Sequence, residues 1–165
     1  PSDMMDGRVG RIRTSLEKKE YHNTMIMSYA AKYASSLYGP FREAVNAGIL
    51  VKPKNKKSYQ MDITNIHEAM HEISMDIKEG ADMIMIKPGL PYLDVISKAK
   101  ELFSIPTFAY QVSGEYSMIM SAVYNNHVKE SDIIFETMQC FKRAGANGIF
   151  TYFAPKILNL LSKNN

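Results

Sequence analysis

The run Ala81-Asp82-Met83-Ile84-Met85-Ile86-Lys87-Pro88-Gly89 decides how this chain is read. Four consecutive apolar residues, preceded by a Gly-Ala-Asp turn and closed by Pro-Gly, predict a short strand buried on both sides. The period changes just upstream. Ile66, Met70, Ile73 and Ile77 mark one face of a helix, with Asn65 and Glu68 at capping-box spacing and Gly80 as its stop. A helix leading into a buried strand is the repeating unit of an α/β protein.

Working outward, the unit recurs. Toward the C-terminus, Leu93, Ile96 and Phe103 mark a helix, Thr107 to Val112 a strand, and Met118, Ile119 and Val123 a helix. Ser131 begins another helix through Ile133, Ile134, Met138 and Phe141, stopped at Gly145. Ile149 to Phe153 reads as the last strand and Ile157 to Leu161 as the last helix. Toward the N-terminus, Val9, Ile12 and Leu16 give a helix within Gly7 to Lys19, followed by a strand-like run from Met25 to Tyr29. Phe41 to Leu50 fits either period, and Lys52 to Ser58 is a basic, Pro-containing loop. Four apolar strands separated by helices predict a parallel sheet covered on both faces. Four strands cannot close a (β/α)8 barrel, so the pattern leaves an open doubly wound sheet or half of a barrel.

Composition removes other classes. With 165 residues, 45% hydrophobic and 22% charged, the chain has an ordinary globular balance for one domain. No apolar run approaches the roughly 18 residues of a membrane helix. The single cysteine, Cys140, excludes a disulfide scaffold or a cysteine-only metal site and reads as a small core residue in a helix. A net charge of +3, from 20 basic and 17 acidic residues, is too small and dispersed to argue for nucleic acid. The exception is the cluster Lys52, Lys54, Lys56 and Lys57, which either closes over an anionic substrate or is a solvated loop. Because the chain opens on Pro1-Ser2-Asp3, targeting is not read from it.

The polar residues fall at strand ends. Lys32 follows the first strand, Lys87 ends the second, Ser113 the third, and Tyr152 lies near the end of the fourth. Barrel enzymes place their reactive groups at that end. A lysine at an apolar rim loses hydration, its pKa falls, and the neutral amine can attack a carbonyl to form a Schiff base. A second amine nearby, such as Lys32, depresses it further. The plainer alternative is a pair of solvated strand-end lysines. Gln111-Val112-Ser113-Gly114-Glu115 sets a hydroxyl and free amides ahead of a helix, which suits a carboxylate or simply caps the helix.

His67-Glu68-Ala69-Met70-His71 fits the HExxH pattern of zinc peptidases. On a helical wheel both histidines lie roughly 100–140° from the Ile66, Ile73 and Ile77 face. Ser74 and Ile77 stand where the longer pattern has Gly and His. A chance match on a charged outer helix is the expectation.

Whole strings carry a resemblance. Pro1-Ser2-Asp3-Met4-Met5-Asp6-Gly7-Arg8-Val9, Met27-Ser28-Tyr29-Ala30-Ala31-Lys32-Tyr33-Ala34-Ser35 and Tyr38-Gly39-Pro40-Phe41-Arg42 resemble the 5-aminolevulinate dehydratase (porphobilinogen synthase) family. So do Glu79-Gly80-Ala81-Asp82, Ile86-Lys87-Pro88, Tyr110-Gln111-Val112-Ser113-Gly114-Glu115-Tyr116, Lys142-Arg143-Ala144-Gly145-Ala146 and Thr151-Tyr152-Phe153. The match runs in order along nearly the whole chain.

The resemblance implies an eight-stranded TIM barrel of which this chain is the C-terminal half, strands five to eight. It implies condensation of two 5-aminolevulinate molecules to porphobilinogen with loss of two waters, a step of tetrapyrrole biosynthesis. By position, Lys87 forms the Schiff base with the first substrate and Lys32 with the second. Ser113 and Tyr152 hold the first carboxylate, Ser2 contacts the amino group, and Tyr38 packs in that pocket. Arg42, Lys56 and Gln60 take the second carboxylate. Glu72 aligns with the carboxylate that binds an allosteric magnesium ion near a subunit interface. The resemblance further implies a divalent metal, Mg²⁺ rather than Zn²⁺, a homo-octamer, and a cytoplasmic or plastid location.

There are departures. Lys56 stands where the family usually has Arg, and Val51-Lys52-Pro53-Lys54-Asn55-Lys56-Lys57 replaces the usual end of the lid, here residues 46–57. Lysine lacks the bidentate fork of arginine. The family's catalytic-metal segment and a substrate-binding Asp would lie upstream of this chain, in an N-terminal half.

Overall fold

The computed structural model describes residues 1–44 and 56–162. Helix α1 (Arg8–Lys18) precedes strand β1 (Met27–Lys32), a 3-10 turn (Ser36–Tyr38) and helix α2 (Gly39–Ala44). Helix α3 (Ile66–Lys78), β2 (Met83–Lys87), a 3-10 turn (Leu90–Tyr92) and α4 (Leu93–Phe103) follow. Then come β3 (Thr107–Tyr110), α5 (Ser113–Tyr124), α6 (Glu130–Arg143), β4 (Gly148–Phe150) and α7 (Ala154–Ser162).

The sheet has the order β1-β2-β3-β4, and every pairing is parallel. Strands laid down strictly in sequence distinguish the two architectures left open above. A doubly wound sheet reverses its strand order at a switch point, whereas a barrel adds each strand beside the last. The fold is four consecutive β/α units of a barrel.

Helix α3 forms where its sequence says it should. Asn65 is the N-cap, its side chain accepting from the Glu68 amide at 3.1 Å, and Gly80 takes φ 101° beyond the C-terminus. The buried Ala69 and Ile73 face Ala31, Ile84, Ile86 and Ala109 of the sheet, joined by Val95, Ile96 and Ala99 of α4 and Phe141 of α6. Each fully buried isoleucine in this layer contributes about 2 kcal/mol. A second cluster of Ile119, Met120, Ile134 and Phe153 joins α5, α6 and the start of α7.

The structure bears out cover on both faces for β2, where Ile84, Met85 and Ile86 are all buried, and corrects it for its neighbours. Burial alternates along β3 and along β1 up to Ala30, with the helix-facing residues buried and the residues between them half-exposed. The apolar runs are continuous because the second face belongs to a barrel interior, which side chains from all its strands fill together. Strand limits shift as well. The first strand runs Met27–Lys32 rather than Met25 to Tyr29, because its end is paired on both sides: the Tyr33 amide donates to the Lys87 carbonyl at 2.9 Å and the Met61 amide to the Lys32 carbonyl at 3.0 Å. The third ends at Tyr110, since Val112 already caps α5, and the last stops at Phe150, where Thr151 Oγ accepts from the Phe153 amide and turns the chain into α7. Cys140 is half-exposed on α6 rather than a core residue.

Candidate active site

Lys32 and Lys87 are register partners at the ends of β1 and β2. Ile86 pairs with Ala109, so Tyr110 follows beside Lys87, and its ring centroid lies 4.1 Å from Lys87 Nζ. Tyr29 lies 5.5 Å from both amines, Tyr38 is 5.6 Å from Lys87 Nζ, and the Tyr38 hydroxyl donates to the Lys87 carbonyl at 3.2 Å.

Two opposing effects act on Lys87. The ring faces attract an ammonium, while burial strips its hydration and the neighbouring amines repel it. Burial wins: with Lys32 second and Lys56 third, it pushes the Lys87 pKa down to about 8. At pH 7 about one amine in ten is then neutral, against fewer than about one in a thousand for an ordinary lysine. Lys32 is lowered too, by burial and then Lys56, with Asp3 opposing. Its Nζ donates to the Ser2 carbonyl at 2.5 Å, so Ser2 reaches the site through its backbone.

Ser113 is the first residue of α5 rather than the last of a strand, which sets its hydroxyl at a helix N-terminus. Its Oγ accepts from the Phe41 amide at 3.1 Å, leaving the hydroxyl proton to donate to a carboxylate. Ser113, Tyr152, Tyr38 and Lys87 line one cavity of about 50 Å³ with Phe41, Tyr110 and Val112. Gly114 makes this approach possible, because a Cβ there would stand 2.4 Å from the Leu37 carbonyl oxygen.

Arg42, Lys56 and Gln60 line a second, larger cavity of about 540 Å³. Gln60 is 5% exposed, and its Oε1 is buried without a hydrogen-bond partner among the described residues. The parallel bridge between Tyr33 and Met61 holds it beside the end of β1. The Arg42 guanidinium lies 5.4 Å over the Tyr38 ring, so Tyr38 touches groups of both cavities. Lys52, Lys54 and most of the lid at 46–57 lie outside the described residues.

The smaller cavity thus holds the Lys87 amine with the Ser113 and Tyr152 hydroxyls, the larger holds the cationic Arg42 and Lys56, and Lys32 lines neither. Comparison with known proteins meets this geometry. Residues 1–160 match the family described as delta-aminolevulinic acid dehydratase. The chain belongs to that family. It is 52% identical over 161 residues to the delta-aminolevulinic acid dehydratase of Rhodobacter capsulatus, covering 98% of this chain and 48% of the relative. It is 51% identical to the chloroplastic enzyme of Oryza sativa, covering 98% of this chain and 37% of that one. The crystal structure of the Toxoplasma gondii ME49 delta-aminolevulinic acid dehydratase (porphobilinogen synthase), in complex with the reaction product porphobilinogen, superposes with a TM-score of 0.87 at 49% identity. That alignment covers 92% of this chain and 43% of the other. The chain thus spans about half the length of the curated relatives it matches.

For this member of the dehydratase family, Glu72 on α3 is half-buried, and burial followed by the nearby Asp6 pushes its carboxyl upward. A carboxylate with a second acid nearby fits a hydrated divalent cation, which needs few protein ligands. His67, Glu68 and His71 are exposed on α3. Among the described residues no group of three or more His, Cys, Asp or Glu is placed to hold a metal, and no helix is long and apolar enough to cross a membrane.

Sequence reasoning about individual residues passed over Tyr29 and Tyr110. Tyr29 precedes Lys32 by three on the same strand, and Tyr110 is the strand-end residue one strand over from Lys87. Both signals depend on register, which only a pairing scheme supplies.

Proposed function

We propose that this chain supplies the C-terminal half of a porphobilinogen synthase, which joins two 5-aminolevulinate molecules with loss of two waters. The observation that carries the reading is the pairing of Lys32 with Lys87 beneath tyrosine rings, each amine lowered by burial and by a neighbouring cation. The neutral Lys87 Nζ attacks the ketone carbon of the first substrate, and its oxygen leaves as water. Ser113 and Tyr152 hold that substrate's carboxylate. Lys32 does the same chemistry on the second substrate, whose carboxylate lies against Arg42, Lys56 and Gln60. Both amines are returned as the substrates join, so the net loss is two waters.

The edge of β4, which has no further strand beside it among the described residues, together with an α7 that buries none of its residues, supports an N-terminal half that closes the barrel. A divalent ion, Mg²⁺ rather than Zn²⁺, would be held near Glu72 and would supply positive charge at a subunit boundary. A homo-octamer in the cytoplasm or a plastid follows from the family. The test is an intact-mass and peptide spectrum of the full-length protein after incubation with 5-aminolevulinate and borohydride, which reduces a Schiff base to a stable adduct. Adducts on Lys87 and Lys32 are expected, and their absence from the full-length protein sinks the reading.

A further inference from the structure

Among the described residues, Glu115 is the one charged side chain that is buried, at 3% exposure. A carboxylate in that position is costly unless hydrogen bonds replace its water. Three backbone amides do so. Oε1 accepts from Leu90 at 2.6 Å, and Oε2 accepts from Gly89 at 3.2 Å and from Val112 at 2.7 Å. The bond to Val112 is an ordinary helix cap, made by reaching back along α5. The other two are not capping at all, because they cross to the turn after β2.

Glu115 therefore bridges two turns that each carry a site residue. Lys87 lies two residues before Gly89, and Ser113 follows Val112. The Gly89 turn runs through a narrow gap, where a Cβ would stand 2.7 Å from the Phe141 ring and 3.0 Å from the Tyr110 carbonyl. Burial raises the Glu115 carboxyl and outweighs the three amides that lower it, so the clamp rests on those hydrogen bonds rather than on an easily held charge. We propose that Glu115 is a positioning residue that fixes the distance between the Lys87 amine and the Ser113 hydroxyl. This rests on the Schiff-base reading above. Glutamine at this position keeps the shape but turns N–H groups toward amides that need an acceptor.

The test uses the full-length protein, its E115Q variant and E115D, which keeps the charge but is one methylene too short to span both turns. Each is trapped with 5-aminolevulinate and borohydride, and the ratio of Lys87 to Lys32 adducts is read by peptide mass, with kcat and KM alongside. E115Q is expected to lower the ratio roughly tenfold or more, with kcat falling further than KM rises, and E115D to fall between. A merely structural loss lowers both adducts alike, so an unchanged ratio in either folded variant overturns the positioning role. In the unsubstituted protein the amides of Gly89, Leu90 and Val112 are expected to exchange with solvent as one unit. Independent exchange of the two turns overturns the clamp without any variant. Absence of adducts in the unsubstituted protein overturns the Schiff-base reading itself, a result distinct from a failure confined to Glu115.

Discussion

Lys32 and Lys87 face each other across one rung of the parallel ladder, and each is made a weaker base by burial and by a neighbouring cation. Adduct formation at Lys87 is therefore expected to climb as pH rises through about 8 and then level off. Lys32→Ala removes a like charge, which favours the Lys87 ammonium and moves that climb to higher pH. The check is the initial rate of borohydride-trapped adduct against pH for both proteins. A climb left in place on Lys32→Ala would show that the amines do not communicate.

Ser113→Ala and Tyr152→Phe each delete one hydroxyl from the smaller cavity. A hydrogen bond to a charged group is worth about 1.5–3 kcal/mol, so KM is expected to rise about 10- to 100-fold with kcat little changed. The two differ in stability. Ser113 also accepts from Phe41, so its removal costs about 1 kcal/mol more in denaturant unfolding than that of Tyr152.

Lys56→Arg supplies the planar fork that a carboxylate prefers. The variant is expected to lower the half-saturating concentration of 5-aminolevulinate several-fold relative to the natural lysine. Because charge at position 56 is kept, the pH profile at Lys87 should not move. Steady-state titration of Lys56→Arg and Lys56→Gln together separates fork from charge.

Gly114→Ala and Gly39→Ala form a matched pair. An alanine Cβ at 114 would meet backbone atoms of Leu37 at 2.4 and 2.7 Å, whereas at 39 it meets nothing within 4 Å. Backbone cannot step aside, so Gly114→Ala is expected to destabilise by about 2 kcal/mol or more, and Gly39→Ala to be neutral. Thermal melts of the two variants decide it.

Glu72→Gln should abolish stimulation by added Mg²⁺, while His67→Ala leaves the content of bound metal unchanged. Activity against Mg²⁺ concentration, with metal analysis of the purified proteins, reads both. Metal lost on His67→Ala would revive the HExxH reading.

How far the sequence could be read depended on whether a feature was local. Helix α3 was visible from its cap, its apolar face and its glycine, all within a few turns. Both lysines and the Ser113 and Tyr152 hydroxyls were visible because strand ends are marked by where apolar runs stop. Of the tyrosines around Lys87, Tyr38 was named through the resemblance, whereas Tyr29 and Tyr110 were passed over, since they arrive from different strands whose register sets the contact. Glu115 reads locally as a first-turn acid at a helix start, and its burial beneath a neighbouring turn has no signature in the sequence. One-sided cover at β1 and β3 was hidden for a similar reason: an inner barrel face and a helix-covered face carry the same apolar residues.

Strand β1 departs from regular pairing between Ser28 and Ala31, where it spends three steps against two on β2, from Ile84 to Ile86. That bulge absorbs one residue and brings Lys32 level with Lys87. Flattened without a deletion, the strand would set Ala31 opposite Lys87 and turn Lys32 toward the helices. The register that sets the two lysines level is thus fixed by counting along the backbone. Substitutions around the lysines can retune their basicity, but parting them takes an insertion or a deletion.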